Sequence, residues 1–421
     1  MSDAPVSGGL HRRLGGTDAV MIGLGSMIGA GIFAALGPAA GAAGPGLLIG
    51  LLIAAVVAYC NATSSARLAA EHPVSGGTYV YGSRQLGPFW GYLAGWGFIV
   101  GKTASCAAMA LTIGAYAWPD HARAVGVAAV AAVTAINYAG VQKSARASGV
   151  IVLVVISVLT VVVAAVILGG AADPSNLHVD RSVSAGGVLQ AAGLLFFAFA
   201  GYARMATLGE EVVDPVRTIP RAIRTALVIA LAVYAAVAVT VLAALGAHEL
   251  ATSPAPVAEA ARLSGADWLV PVVGVTATLA AVGALLSLLL GVSRTTLAMA
   301  RDRHLPAVLS AVHQRRGIPH HAELAVGTAV AVLAATVDLR GAIGFSSFAV
   351  LVYYAIANIS AWTLPTRRWH LRAVPVAGFL GCVLLAFALP RESVIAGIAV
   401  LIAGAAMYFV TVIRRGSAPA R

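Results

Sequence analysis

The chain has 421 residues, of which 60% are hydrophobic and 10% charged. Soluble domains carry about 25% charged residues, so this composition excludes a water-soluble protein and points to an integral membrane one. A net charge of +11 would suggest nucleic acid in a soluble chain. Here it belongs to lipid headgroups and topology, and no nucleic-acid partner is expected.

A spanning helix needs about 20 mostly apolar residues. That rule predicts twelve spans, near 18–40, 45–66, 88–116, 122–139, 147–169, 186–207, 222–246, 268–296, 322–337, 341–363, 373–389 and 393–413. The first run follows His11-Arg12-Arg13 without a cleavage boundary, so it reads as a span and not as a removable leader. A single transmembrane domain over 18–413 is expected between short tails at 1–17 and 414–421. Of the 27 Lys and Arg, Arg123, Arg181, Arg262, Arg340 and Arg391 fall in loops opposite the N-terminus, and Lys102, Arg204 and Arg294 lie within spans or at their ends. The remainder fall on the N-terminal side. The positive-inside rule then places both termini in the cytoplasm of a multi-pass protein of the plasma (inner) membrane.

The first span contains Gly23, Gly25, Gly29 and Gly31, each costing a helix interior roughly 1 kcal/mol relative to alanine. Such density predicts an unwound turn whose backbone groups meet a ligand, because hydrocarbon offers them no partner. Two other readings stand beside it. The Gly23-x-Gly25-x-x-x-Gly29 spacing superficially matches a dinucleotide fingerprint but lacks the strand and βαβ setting that motif needs. Small residues also let two membrane helices approach closely.

Further along, Glu71 to Tyr81 contains Pro73 and Gly76-Gly77 and predicts a re-entrant or interfacial loop. The third span carries Lys102, 14 residues in from Pro88, or about 21 Å along a helix. An intramembrane ionisable residue is a functional candidate by default. Proton coupling, a fixed ammonium on carbonyls of the broken first helix, and snorkelling to the interface all fit that position. In the sixth span, Gly201 interrupts the aromatic run Phe196 to Tyr202, and Glu210, Glu211 and Asp214 follow, with Arg217, Arg221 and Arg224 close behind. That crowding predicts a charge network at a cytoplasmic gate, with Glu210, Glu211 and Arg217 as its candidates; a solvated loop is the alternative. Residues 256–263 predict a short helix outside the membrane. No Asp or Glu is expected at mid-membrane. Cys60, Cys106 and Cys382 lack metal-ligand spacing and read as small buried hydrophobes. With no His/Asp/Glu constellation in the spans, neither a metal, a cofactor nor an enzymatic reaction is expected.

Glycine-interrupted helices at the first and sixth spans occupy matching places in two five-helix halves, 18–169 and 186–363, with two peripheral helices over 373–413. An odd number of spans per half makes the repeat inverted. Interrupted helices in corresponding positions mark the binding site of a secondary transporter.

Four segments in order resemble the amino acid–polyamine–organocation permeases: Gly25-Ser-Met-Ile-Gly-Ala-Gly-Ile-Phe33, Pro73-Val-Ser-Gly-Gly-Thr-Tyr79, Phe199-Ala-Gly-Tyr202 with Glu210 to Pro220, and Met299-Ala-Arg-Asp302 with Leu305-Pro306. The resemblance covers nearly the whole chain. It implies an all-α, leucine-transporter-like permease with discontinuous helices 1 and 6, moving an amino acid or related amine or carboxylate by alternating access, coupled to protons or by exchange. A solute sensor on the same fold, or a basic amino acid or polyamine permease, is the alternative. The chain departs from many relatives at Ser65-Ala-Arg67-Leu68 and at Ala203, and the aligned coupling lysine of some proton-coupled relatives becomes Ser157. The expected substrate site comprises Gly25, Ser26, Met27, Ile28, Gly29, Ala30 and Gly31 with Phe197, Phe199, Ala200, Gly201 and Tyr202. In it, the N–H groups around Gly29 to Gly31 take a carboxylate, and the carbonyls of Phe199 and Ala200 take an ammonium group. Lys102, Ser157 and Ser287 are the coupling candidates. With no carboxylate at mid-depth, a neutral substrate is expected over a basic one.

Overall fold

Within hydrocarbon, each backbone N–H and C=O must find a partner inside the protein, so apolar runs of this length fold as helices. The computed structural model describes residues 14–72, 76–140, 145–179, 183–202, 205, 212–313, 317–365 and 370–416. Among them the chain is helices and connecting turns, with one isolated bridge between Leu14 and Val212.

The first run divides into α1 (Gly16–Met27), α2 (Ala30–Ala34) and α3 (Leu36–Ala43). Asp18 starts α1 by accepting from the Gly15 N–H at 3.0 Å, an acid placed where the helix dipole favours one. α4 (Leu47–Glu71) follows a tight turn. The stretch expected as an interfacial loop turns instead through Gly76 and Gly77, at φ +123° and +58°, into the nine-residue α5 (Thr78–Leu86). Both angles lie where a side chain is strained. Next come α6 (Pro88–Ala117), α7 (Ala122–Tyr138) and α8 (Ala145–Leu168).

α9 (Ala185–Phe199) ends in a 3-10 turn, Ala200–Tyr202, at the interruption expected around Gly201. α10 (Pro215–Thr252) overruns its expected limits and bends at Gly246. α11 (Pro256–Leu263) is the short connecting helix anticipated there. α12 (Leu269–Arg301), α13 (His320–Thr336), α14 (Leu339–Trp362), α15 (His370–Ala388) and α16 (Arg391–Gly416) complete the bundle.

Nine helical stretches among the described residues are long and apolar enough to cross a membrane, and Arg372–Ala388 is a shorter apolar helix. α7 and α13 have 17 residues each, about 25 Å at 1.5 Å per residue and the lower edge of a spanning length. α6 is buried along most of its length and packs chiefly on α12 and α14. Outer helices show the opposite pattern: Val150, Leu153, Ile167 and Leu168 of α8, and Ile395, Ile402 and Ile413 of α16, are exposed. Apolar surface on this scale exceeds what a soluble monomer presents and suits contact with lipid tails. Inside that ring, the interruption between α1 and α2 lies against the one at the end of α9.

Candidate functional site at the paired helix breaks

α1 stops at Met27, Ile28 and Gly29 leave the helix, and α2 resumes at Ala30. Four of the glycines in this region are fitted to their neighbours. A Cβ on Gly29 would lie 2.8 Å from the Ala284 methyl of α12, and one on Gly31 would lie 2.7 Å from the Ala198 Cα of α9. On Gly201 it would lie 2.1 Å from the Ser26 carbonyl oxygen, and on Gly23 it would run into the Met205 side chain. Close approach of helices therefore accounts for these positions without a ligand. Gly25 differs, since its nearest neighbours would be Val152 and Ser148 at 3.4 and 3.5 Å, ordinary contact distances.

One hydroxyl joins the two breaks. Tyr234 of α10 donates to the Met27 carbonyl at 2.6 Å and lies 3.0 Å from the Ala198 carbonyl, while the Phe199 ring packs edge-on against it. The second break is held similarly. The Ala200 carbonyl accepts from the Lys102 ammonium at 3.2 Å and the Tyr354 hydroxyl at 3.3 Å. Tyr202 stacks on Tyr354, with centroids 5.0 Å apart. Both lone pairs of the Ala200 carbonyl are thus in use, so it is not an open acceptor for a substrate ammonium. Lys102 is 5% exposed and does not snorkel. The carbonyl it donates to, that of Ala200, belongs to the sixth-span break, not the first.

Gly25 to Gly31 and Phe197 to Tyr202 form one neighbourhood, with Phe199, Ala200 and Tyr202 fully buried and Ser26 bonded back to the Ile22 carbonyl. Ser287 lies one turn beyond Ala284 on α12, its hydroxyl donating to the Gly283 carbonyl at 3.0 Å. Ser157 is exposed on the outer face of α8. The buried face of that helix carries Val152, Val155, Leu159, Val162 and Val166, and it reaches the first break through Ser148 and Val152. The structure does not bring Ser157 to the site.

Beyond α2, at the end of the bundle away from the N-terminus, a cleft of about 340 Å³ is lined by Phe33, Gly37, Pro38, Pro254, Asp338 and Arg340 among others. Phe33 lies between this cleft and Gly29. It is edge-on to Tyr116, whose hydroxyl donates to the Phe33 carbonyl at 3.3 Å. At the other end, the Val213 N–H donates to the Leu14 carbonyl at 3.0 Å, strapping the start of α1 to the segment after the second break. Tyr79 of α5 donates to the Asp302 carboxylate and sits 3.0 Å from His304 Nδ1. Glu210 and Glu211 lie outside the described residues. Arg217 is exposed and 3.9 Å from an exposed Asp214.

Two polar nodes escaped the sequence reading. Asn358 Nδ2 donates to Asn61 Oδ1 at 2.6 Å, and the Cys382 thiol donates to that same oxygen at 3.3 Å, so Cys382 is more than a filler. The second node is a buried carboxylate in the first turn of α13. Glu323, 1% exposed, accepts from Asn137 Nδ2 at 2.7 Å. Asn137 also donates to the Leu286 carbonyl at 3.3 Å, close to the middle of the 33-residue α12. Each partner falls near the end of its expected span, which hid the pair. A lone acid in an otherwise apolar span was the available signal.

The sequence profile described as amino acid permease matches residues 18–417. A Mycobacterium tuberculosis protein described as an uncharacterized transporter is 67% identical over 95% of this chain and 91% of its own length. A branched-chain amino acid permease of Bacillus subtilis is 27% identical over 95% of this chain and 93% of its own. The chloroplastic cationic amino acid transporter 7 of Arabidopsis thaliana is 27% identical over 83% of this chain and 65% of its own. With the profile spanning the bundle from α1 to α16, the chain belongs to the amino acid permease family and is a multi-pass membrane transporter.

Proposed function

We propose that the protein is a secondary active transporter of a small neutral amino acid, working by alternating access with twelve spans and both termini in the cytoplasm. The observation that carries this reading is the apposition of two interrupted helices in the buried centre, bridged by Tyr234. Interrupted helices expose oppositely polarised backbone ends to a zwitterion. In this reading the N–H groups at Gly29 to Gly31 take the carboxylate, and the Phe199 carbonyl takes the amino group because that of Ala200 is engaged. Phe197, Phe199 and Tyr202 wall the side chain. An inverted repeat of five plus five spans relates the two breaks.

Charge favours a neutral substrate. The polar side chains holding the breaks, Lys102, Tyr234 and Tyr354, include a cation and no carboxylate, and a second unpaired cation buried there would be costly. The name of the branched-chain relative agrees with this reading, while that of the cationic relative points the other way. Lys102 serves coupling: its ammonium is tied to the second break, so a change in its charge alters how that break is held. The test is counterflow in proteoliposomes with a pooled amino acid mixture. Exchange of neutral amino acids supports the reading. Exchange of lysine or arginine uncompeted by neutral amino acids overturns the substrate class, and binding without exchange indicates a sensor.

A further inference from the structure

Glu323 is a fully buried acid that the breaks do not use. Its Oε1 accepts from Asn137, while its Oε2 has no hydrogen-bond partner among the described residues. The polar groups facing it come from several elements. On α12 the Ser293 hydroxyl is within hydrogen-bonding reach of the carboxylate, and the exposed Arg294 is within electrostatic reach. The Ser293 hydroxyl can donate either to Glu323 or to the Leu289 carbonyl, which lies 2.9 Å away. On α6, Cys106 is close enough to feel both Glu323 and Lys102, which lies one turn away. On α7 the neighbour is Asn137, followed by Tyr138, whose ring meets that of His313. On α13 itself, His320 and His321 precede it, their rings 4.2 Å apart, with His313 5.8 Å from His320.

These groups define the chemistry of the site. An ionised carboxylate with few donors, buried among apolar side chains, is expensive. A carboxylic acid fits better: Oε1 accepts from Asn137, and when the Ser293 proton lies on the Leu289 carbonyl the serine oxygen is free to accept from a protonated Oε2. A metal cation fits poorly, because Asn137 turns its N–H, not its oxygen, toward Glu323. We propose that the Glu323–Asn137 pair is a proton-binding site, loaded and emptied during transport. This rests on the permease reading for its role, though not for the binding itself. The three imidazoles at the start of α13 stand where protons would enter from the N-terminal end of the bundle. Cys106 of α6 lies within electrostatic reach of both the acid and Lys102.

The Glu323→Gln variant keeps the shape and the acceptor for Asn137 but cannot titrate. Two measurements on the full chain in lipid decide the matter. Infrared spectra of parent and variant across a pH series should differ by a carboxylic-acid carbonyl band whose intensity changes with pH. In proteoliposomes, the variant should retain counterflow yet lose accumulation driven by a pH gradient, falling to the level the same vesicles reach without a gradient. Absence of the band at every pH overturns proton binding, and accumulation equal to the parent's overturns the transport role. Failure of the parent to exchange any amino acid would count against the permease reading alone, since the infrared result needs no substrate.

Discussion

The paired breaks and the Glu323 node are built in opposite ways. At the breaks, backbone is held by side chains brought from other helices: Tyr234 on Met27 and Ala198, Lys102 and Tyr354 on Ala200. At the node, two side chains hold one another inside helices that never unwind. The difference teaches what each can do. Backbone freed from a helix presents dipole ends that recognise a ligand by shape and charge, whereas an isolated acid in an intact helix suits a proton and little else.

The largest effect that sharpens this contrast is steric. Gly201→Val forces a side chain into the Ser26 carbonyl and should destabilise the protein by upwards of about 3 kcal/mol, read as lost folded material in thermal unfolding. Gly25→Ala, with only ordinary contacts to meet, should stay within about 1 kcal/mol of the parent. Equal damage from both would mean that the breaks are not fitted as described. Next in size is Tyr234→Phe, which strips the bridging hydroxyl from two buried carbonyls and should cost about 1–3 kcal/mol. Its signature is a smaller thermal shift with added substrate, and an unchanged shift would detach Tyr234 from the site.

Lys102→Met should barely alter stability, because an apolar side chain of similar length replaces a buried cation that is costly to desolvate. Counterflow should persist while pH-driven accumulation is lost, and undiminished accumulation would remove Lys102 from coupling. Smallest of all, Arg217→Gln should leave transport and melting unchanged, as expected for an exposed pair. A marked change in either would support the gate network.

Much of this molecule is legible in its sequence, because lipid demands long apolar helices and glycine clusters show where they fail. The two breaks themselves are legible, as the glycine-interrupted runs Gly23 to Gly31 and Phe196 to Tyr202. Other features were less accessible for reasons that differ. The partner of Lys102 is a carbonyl 98 positions away, and backbone atoms leave no mark in a sequence. Glu323 and Asn137 are 186 positions apart, and each sits near a predicted helix end. Ser157 was within reach of periodicity: Val152, Val155, Leu159, Val162 and Val166 recur at three and four residues, which turns position 157 outward. The glycines carried two meanings at once, and only the packing shows that Gly29, Gly31 and Gly201 are spaced for contact.

The central claim is that an amino acid lies between the two breaks, and substrate protection of a single thiol tests it most directly. Phe197, 7% exposed, borders the proposed site, and the native Cys60, Cys106 and Cys382 are buried. In the Phe197→Cys variant, a small thiol reagent should label the new cysteine, and the neutral amino acids that exchange in counterflow should slow that labelling. Labelling at the same rate with and without those amino acids would contradict the account.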